Sequence, residues 1–189
     1  MLRLATPLLL TLVFTTLAAC SSVQVTDYRD FEPAIDLETF FDGPMTAHGV
    51  VKDRRGRVIR LFNADIQADW QAGVGTLDEQ FLFDDGEKQY RKWTLTPVPD
   101  ASDQYIGTAG DVVGEGKLST AGNSVFLDYT LRIPYGDGTI DVRVDDRMYL
   151  LTPDVLINES VLTKFNVRVG SLLLVILRST DNPSTATIP

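Results

Sequence analysis

Apolar and polar residues alternate along most of this chain. In Phe62-Asn63-Ala64-Asp65-Ile66-Gln67-Ala68-Asp69-Trp70 the alternation is nearly strict. Val125, Leu127, Tyr129, Leu131 and Ile133 interleave with Phe126, Asp128, Thr130 and Arg132. Ile140, Val142, Val144 and Met148 interleave in the same way with Thr139, Asp141, Arg143 and Arg147. A period of two sends successive side chains to opposite faces, so each run predicts a strand with one buried and one wet face. No stretch carries the repeat of an amphipathic helix of about ten residues or more. Only residues 35–41 predict a short helical turn, with Leu37, Phe40 and Phe41 on its apolar side.

Turn chemistry punctuates these runs at 54–57, 72–75, 84–86, 97–103, 120–123, 135–138 and 152–154, where Gly, Asp, Asn and Pro gather. Connections this short join antiparallel neighbours. A long meander of such strands closes on itself, because closure removes its unpaired edges. The run 172–177 is uniformly apolar and predicts a closing strand covered on both faces. The expected fold class is therefore all-β. It is a single antiparallel meander over residues 34–178, closing into a barrel of about 8–10 strands. A membrane-spanning barrel does not fit, since the second face carries Asp, Arg, Gln and Lys where lipid would demand apolar groups.

The N-terminus changes the picture. One charge at Arg3 precedes an apolar run at 8–17, broken by Thr11, Thr15 and Thr16, and Leu17-Ala18-Ala19-Cys20 follows. This pattern predicts an export leader over 1–19. The apolar run, at about ten residues, is half of the roughly twenty that a membrane helix needs. Leu-Ala-Ala-Cys resembles the lipobox of bacterial lipoproteins. That resemblance implies a lipidated Cys20 and a membrane anchor of two or more acyl chains, since one chain alone binds marginally. Residues 20–33 then read as the lipidated N-terminus and tether, and 179–189 as a disordered tail. Ser21, by analogy with lipoproteins of two-membraned bacteria, implies an outer-membrane location with the domain in the periplasm.

Cys20 is the only cysteine, so the domain has no internal disulfide and no thiolate metal site. The chain holds 17 Lys and Arg against 26 Asp and Glu, a net charge of −9. Loss of the leader removes Arg3 and no acid. Such a balance repels nucleic acid, which is excluded as a partner, and repels anionic headgroups.

One hairpin carries the most informative candidate site. Asp84-Asp85-Gly86 suits a three-residue loop ending in a left-handed Gly. That register sets Phe81 opposite Gln89, Glu79 opposite Arg91 and Leu77 opposite Trp93. Glu79 and Arg91 then face inward beside Leu77, Phe81, Phe83, Trp93 and Leu95. A two-residue loop would set Glu79 against Lys92 instead. An inward carboxylate is costly unless paired, so the pair is either a structural bridge or a grip on the polar head of an amphipathic ligand. Asp146 shares the parity of Val142, Val144 and Met148. It either joins Arg91 inside or sits at a bulge. Trp93 would line the same interior.

Other chemistry is thin. His48, the single histidine, has no identified partner, and no Gly-x-Ser-x-Gly motif is present. Asp84-Asp85 and Asp145-Asp146 are acidic pairs without an EF-hand pattern, and the first is explained by its turn. The glycines of 107–116 lack a phosphate-loop signature. Lys164 and Arg168 read as surface charge or as a headgroup contact at a barrel mouth. No catalytic residue, metal or cofactor is expected.

Several stretches taken in order point further. They are Phe40-Phe41-Asp42-Gly43-Pro44, residues 81–86, 107–114, 148–150 with 154–158, and Thr163-Lys164-Phe165-Asn166-Val167-Arg168-Val169-Gly170. Over about residues 30–178 the chain resembles the bacterial lipoproteins catalogued as domain of unknown function 3833. Arg147 departs from that pattern, where an aromatic residue is expected. The resemblance implies no established activity. It implies a barrel similar to the calycins, or lipocalins, which hold apolar ligands, and it favours a lipid-related role. The expected function is binding of a lipid or other hydrophobic small molecule inside the barrel, with small gaps at Ala64 and Ala68. The competing expectation is an interaction lipoprotein that docks an envelope partner, marked by an apolar patch on the barrel's exterior.

Overall fold

The computed structural model describes residues 22–179. The expected leader, Cys20 and all of the expected tail beyond Ser179 lie outside the described residues. Ten strands follow one another: β1 (Gly43–Asp53), β2 (Val58–Gln71), β3 (Val74–Phe83), β4 (Lys88–Val98), β5 (Ala101–Thr108), β6 (Gly116–Ala121), β7 (Ser124–Tyr135), β8 (Gly138–Thr152), β9 (Val155–Lys164) and β10 (Val167–Arg178). Each pairs antiparallel with the next, and β10 closes on β1 to complete a barrel. One helical turn, α1 (Leu37–Phe40), precedes them, capped by the Asp36 side chain, which accepts from the Thr39 amide at 2.7 Å.

The alternation resolves as expected. In β2 the inward Phe62, Ala64, Ile66 and Ala68 are buried, while the intervening Asn63, Asp65, Gln67 and Asp69 are exposed. Inward side chains of all ten strands, with Leu37, Phe40 and Phe41, make one core. Two details differ from expectation. The connection at 97–103 is a tight turn, with β4 running to Val98 and β5 starting at Ala101, because Asp100 adopts a left-handed φ of 61°. The run 172–177 closes the barrel, but it is not covered on both faces. A single-layer barrel covers only its inner face, and the outward Leu173 is 38% exposed.

A meander sends every odd strand toward one end and every even strand back. The N-terminal segment and α1 therefore lie at the end where β1 begins. There Trp70 Nε1 donates to the Phe41 carbonyl at 2.7 Å, and buried Phe40 and Phe41 plug the barrel. In the stretch expected as a tether, a 3-10 turn (Val25–Tyr28) docks on the outer wall. Its Tyr28 ring meets Phe126 and Tyr149 at 5.8 and 5.4 Å.

The far end carries the β1–β2, β3–β4, β7–β8 and β9–β10 turns and the longer β5–β6 loop. Here the wall is incomplete. The β4–β5 pairing stops at Thr94 and Thr108, and β6 takes over only at Gly116. The loop between instead follows β7, through a Val112–Leu131 bridge and the Val113 amide to Thr130 carbonyl bond at 2.8 Å. Residues 88–93 of β4 are left facing this loop rather than a strand.

Candidate functional site

The β3–β4 turn sets the site. Gly86 has φ of 85°, and its amide donates to the Phe83 carbonyl at 3.0 Å. The resulting register places Glu79 opposite Arg91, Leu77 opposite Trp93 and Phe81 opposite Gln89, as the three-residue loop predicts. Lys92 faces outward instead and pairs with Asp78 at 2.9 Å.

Glu79, Arg91, Trp93 and Asp146 all line one interior cavity of about 120 Å³. Phe62, Phe81, Leu127, Met148, Leu172 and Leu174 supply much of its apolar wall. Of the expected gaps, Ala64 and Ala68 are buried but do not line it. Ala47, opposite Ala64 on β1, does. Which inward positions border the void depends on how side chains from opposite strands meet across the barrel, which strand parity alone does not locate. Trp93 is packed edge-on against Tyr129, with ring centroids 5.2 Å apart and planes at 89°. The Trp93 ring also lies 3.2 Å from where a Cβ on Gly107 would stand, so that glycine makes room for it.

The polar groups are unequally satisfied. Arg91 reaches Glu79 only at 4.0 Å. It is spent on Asp111, to which Nε and Nη2 donate at 3.0 and 2.8 Å. Asp111 belongs to the β5–β6 loop and was not singled out by the sequence. A loop acid has no parity to read, and only the missing stretch of wall brings it to β4. Glu79 Oε2 is consequently buried with no hydrogen-bond partner among the described residues. Burial pushes the Glu79 carboxyl up to about 7, against the pull of Arg91 and with the push of Asp146 and Asp111. At 4.0 Å the ion pair is marginal, and desolvation prevails over it.

Asp146 points inward, so the bulge alternative is ruled out at this position, where β8 pairs in register with Leu127 and Ser160. Burial raises its carboxyl too, opposed by hydrogen bonds from Ser160, Asn158 and Tyr129 and by Arg91. Asn158 Nδ2 donates to Oδ1 at 3.4 Å. Burial likewise holds the Tyr129 phenol well above its ordinary value, with Asp146 adding to the effect. For Arg91, burial works against the cation, yet its hydrogen bonds to Asp111 and the nearby Tyr129 and Glu79 outweigh it.

Arg91 and Glu79 also line an outer cleft, with Gly110, Asp111, Tyr90 and Lys92. The two side chains therefore form the partition between interior and solvent, at the place where the wall lacks a strand. The bidentate Arg91–Asp111 pair spans that gap like a latch.

The remaining candidates lie elsewhere. His48 sits on the outer wall, its Nδ1 2.7 Å from Asn63 Oδ1. Asp85 serves its turn and Arg60, at 2.8 Å. Asp145 pairs with Arg147, whose guanidinium lies 4.9 Å from the Phe126 ring centroid. Lys164 donates to the Asp141 carbonyl and Arg168 to Ser171 Oγ at 2.7 Å, both on the β9–β10 hairpin. Among the described residues no group of three or more His, Cys, Asp or Glu is placed to hold a metal. The barrel's exterior carries an apolar patch across β3, β2, β1 and β10, with Leu82, Leu61, Val50 and Leu173 lying close together across the wall.

Comparison with known proteins adds a family and a fold. A family model described as "Protein of unknown function (DUF3833)" matches residues 14–178. No curated protein matches. Among solved structures, the S-type phycobiliprotein lyase CPES from Guillardia theta is similar over 78% of this chain and 95% of its own, at 13% identity and a TM-score of 0.59. EF1p2_mFAP2b bound to DFHBI is similar over 74% and 94%, at 10% identity and a TM-score of 0.39.

Proposed function

This chain belongs to the DUF3833 family, whose description assigns no activity, and we propose that it binds one small, mostly apolar molecule inside the barrel through a hydrogen-bond-donating head. The observation that carries this reading is Glu79 Oε2, a buried acceptor with no partner among the described residues, on the wall of an otherwise apolar cavity. A buried polar atom left unpaired costs about 1–3 kcal/mol, so its retention calls for a group that satisfies it in the working state. The likeness to the phycobiliprotein lyase supports the barrel only, and the ligand class rests on the cavity.

Charge narrows the head. Arg91 is already held by Asp111, and the interior acids Glu79 and Asp146 outnumber it. A hydroxyl, amide or amine fits. A carboxylate or phosphate finds no free cation and meets two acids. Size narrows the body. A cavity of about 120 Å³ compares with the dry void of about 150 Å³ that admits benzene. It accommodates a single ring or the end of an acyl chain, and a longer lipid requires Phe81 or Met148 to move. The gap between β4 and the 109–115 loop is the entrance we propose, with Arg91–Asp111 as its latch. We further propose that the leader 1–19 and a lipidated Cys20 hold the barrel at the outer membrane on its periplasmic side.

Calorimetry with benzyl alcohol and benzoate tests the reading. Saturable binding of benzyl alcohol, lost in Glu79→Ala and weaker by about tenfold or more for benzoate, is expected. Equal binding of the two ligands overturns the donor head, and absence of binding together with a clean apo mass in native mass spectrometry overturns the carrier. The exterior patch of Leu61, Leu82 and Leu173 supports the second reading, a docking role.

A further inference from the structure

The hairpins β1–β2 and β9–β10 are neighbours, because β1 pairs with β10 and the register runs to Asp53 opposite Gly170. Both ribbons leave the barrel wall at their tips. In a wall strand every second residue is covered, yet residues 54–59 are all exposed, and so are residues 165–169. The exposed side chains are of two kinds. Val58, Ile59, Phe165, Val167 and Val169 are apolar, and Phe165 is 88% exposed. Arg54, Arg55, Arg57 and Arg168 are basic, flanked by Lys52 and Lys164; Asp53 is the one acid within residues 52–59 and 164–169 and pairs with Arg57 at 3.3 Å. Arg54 and Arg55 make no side-chain hydrogen bond or ion pair among the described residues. In a chain of net charge −9, cations are thus gathered at one corner of the far end.

Phe165 is also in an expensive conformation. Phe165 and Asn166 have φ of 51° and 60°, the two left-handed positions of a type I′ turn, which Asn and Gly adopt at low cost. A bulky aromatic there is an outlier, and its ring is in water rather than in the core. Lys164 Nζ lies 5.0 Å from the ring centroid, a contact that buries little apolar surface, and strain retained for so small a gain points to a functional contact.

We infer that these two hairpin tips dock on an anionic lipid surface, Phe165 and its apolar neighbours entering the headgroup layer and Arg54 and Arg55 meeting phosphates. A protein partner fits less well, because a stable interface needs roughly 800 Å² of complementary area per side and two protruding ribbons offer edges rather than a face. Aromatic and aliphatic tips flanked by Arg and Lys suit a lipid interface, and each cation near an anionic surface strengthens binding about fivefold. Acidic hairpins flank the tips on both sides, β3–β4 with Asp84, Asp85 and Glu87 and β7–β8 with Asp137 and Asp141, and they are partly offset, since Arg60 holds Asp85 and Glu87 at 2.8 Å each and Arg132 holds Asp141 at 2.7 Å. The tips stand at the opposite end of the barrel from α1, so the surface they meet is either that of the chain's own membrane or a second one.

The test uses the full chain carrying Phe165→Trp, reconstituted in phosphatidylcholine vesicles and then mixed with vesicles of phosphatidylglycerol bearing brominated acyl chains. A parallel sample is reconstituted directly in the brominated vesicles. The expected result is quenching of the introduced indole's emission, relative to the parent chain, in at least one arrangement. The first arrangement identifies a second membrane and the other the chain's own. Arg54→Glu with Arg55→Glu should cut the quenched fraction at least several-fold, with an unchanged melting temperature. No quenching in either arrangement overturns the inference. So does quenching untouched by the charge reversals, or a concentration-dependent dimer that buries the introduced indole without lipid.

Discussion

The guanidinium of Arg91 stops 4.0 Å from Glu79 and closes instead on Asp111 at 2.8 Å. The inward pair read from the hairpin register is therefore two unequal contacts. Double-mutant cycles should show it. The Arg91–Asp111 coupling is expected at about 1–3 kcal/mol and the Arg91–Glu79 coupling at well under about 1 kcal/mol. Urea denaturation of the single and double alanine variants measures both, and a larger Glu79 coupling would show that the bridge is the structural unit.

Glu79 makes stability depend on pH in a set direction. Its carboxyl rises from an ordinary 4.5 to about 7 in the folded chain. Below pH 4.5 it is protonated in both states. As pH rises from there to about 7, the unfolded chain ionises first, so stability falls across that window and then levels. The full loss is about 3 kcal/mol, and Asp146, also raised by burial, adds in the same direction. Glu79→Gln should flatten much of the decline and leave the variant more stable than the parent above about pH 7. Urea midpoints collected across pH read this directly.

Filling the void separates binding from folding. Ala47 lines the cavity and is buried, so Ala47→Leu should abolish benzyl alcohol binding. Overpacking there costs about 1–3 kcal/mol, and circular dichroism should still report a folded barrel. Retained binding in a folded Ala47→Leu variant places the ligand elsewhere.

The N-terminal segment depends on one glycine. Gly122 has φ of 52°, and a Cβ there would overlap the Tyr28 carbonyl. Gly122→Ala should therefore undock residues 22–33 and speed chymotryptic cleavage after Tyr28 and Phe31 by about tenfold or more, while the barrel resists. Unchanged cleavage would mean that the turn docks by other contacts.

The barrel was legible because its physics is local. Alternation assigns faces, and a three-residue loop ending in Gly86 assigns the Glu79–Arg91 register and puts Trp93 inside, whereas the parity of Asp146 left it between the interior and a bulge. Asp111 could not be. It lies on a loop, where no period constrains direction, and it meets Arg91 only because β5 stops at Thr108 while β4 extends past that pairing toward its own turn. The gap in the wall follows from unequal strand lengths around a closed ring, which no window along the chain contains.

By itself, then, the sequence determined the all-β meander and the apolar inward set on most strands, and narrowed the polar intruders to Glu79, Arg91 and Asp146 with their register alternatives open, since parity and turn chemistry act within a few residues. It also carries the lipobox-like Leu17-Ala18-Ala19-Cys20, whose lipidation stands as a proposal. The tertiary structure alone decided which polar groups were satisfied, where the cavity lay and which side chains stood free at the barrel's corner. Those depend on partners brought together from opposite sides of the ring, and on which of two nearby acids a single arginine could reach.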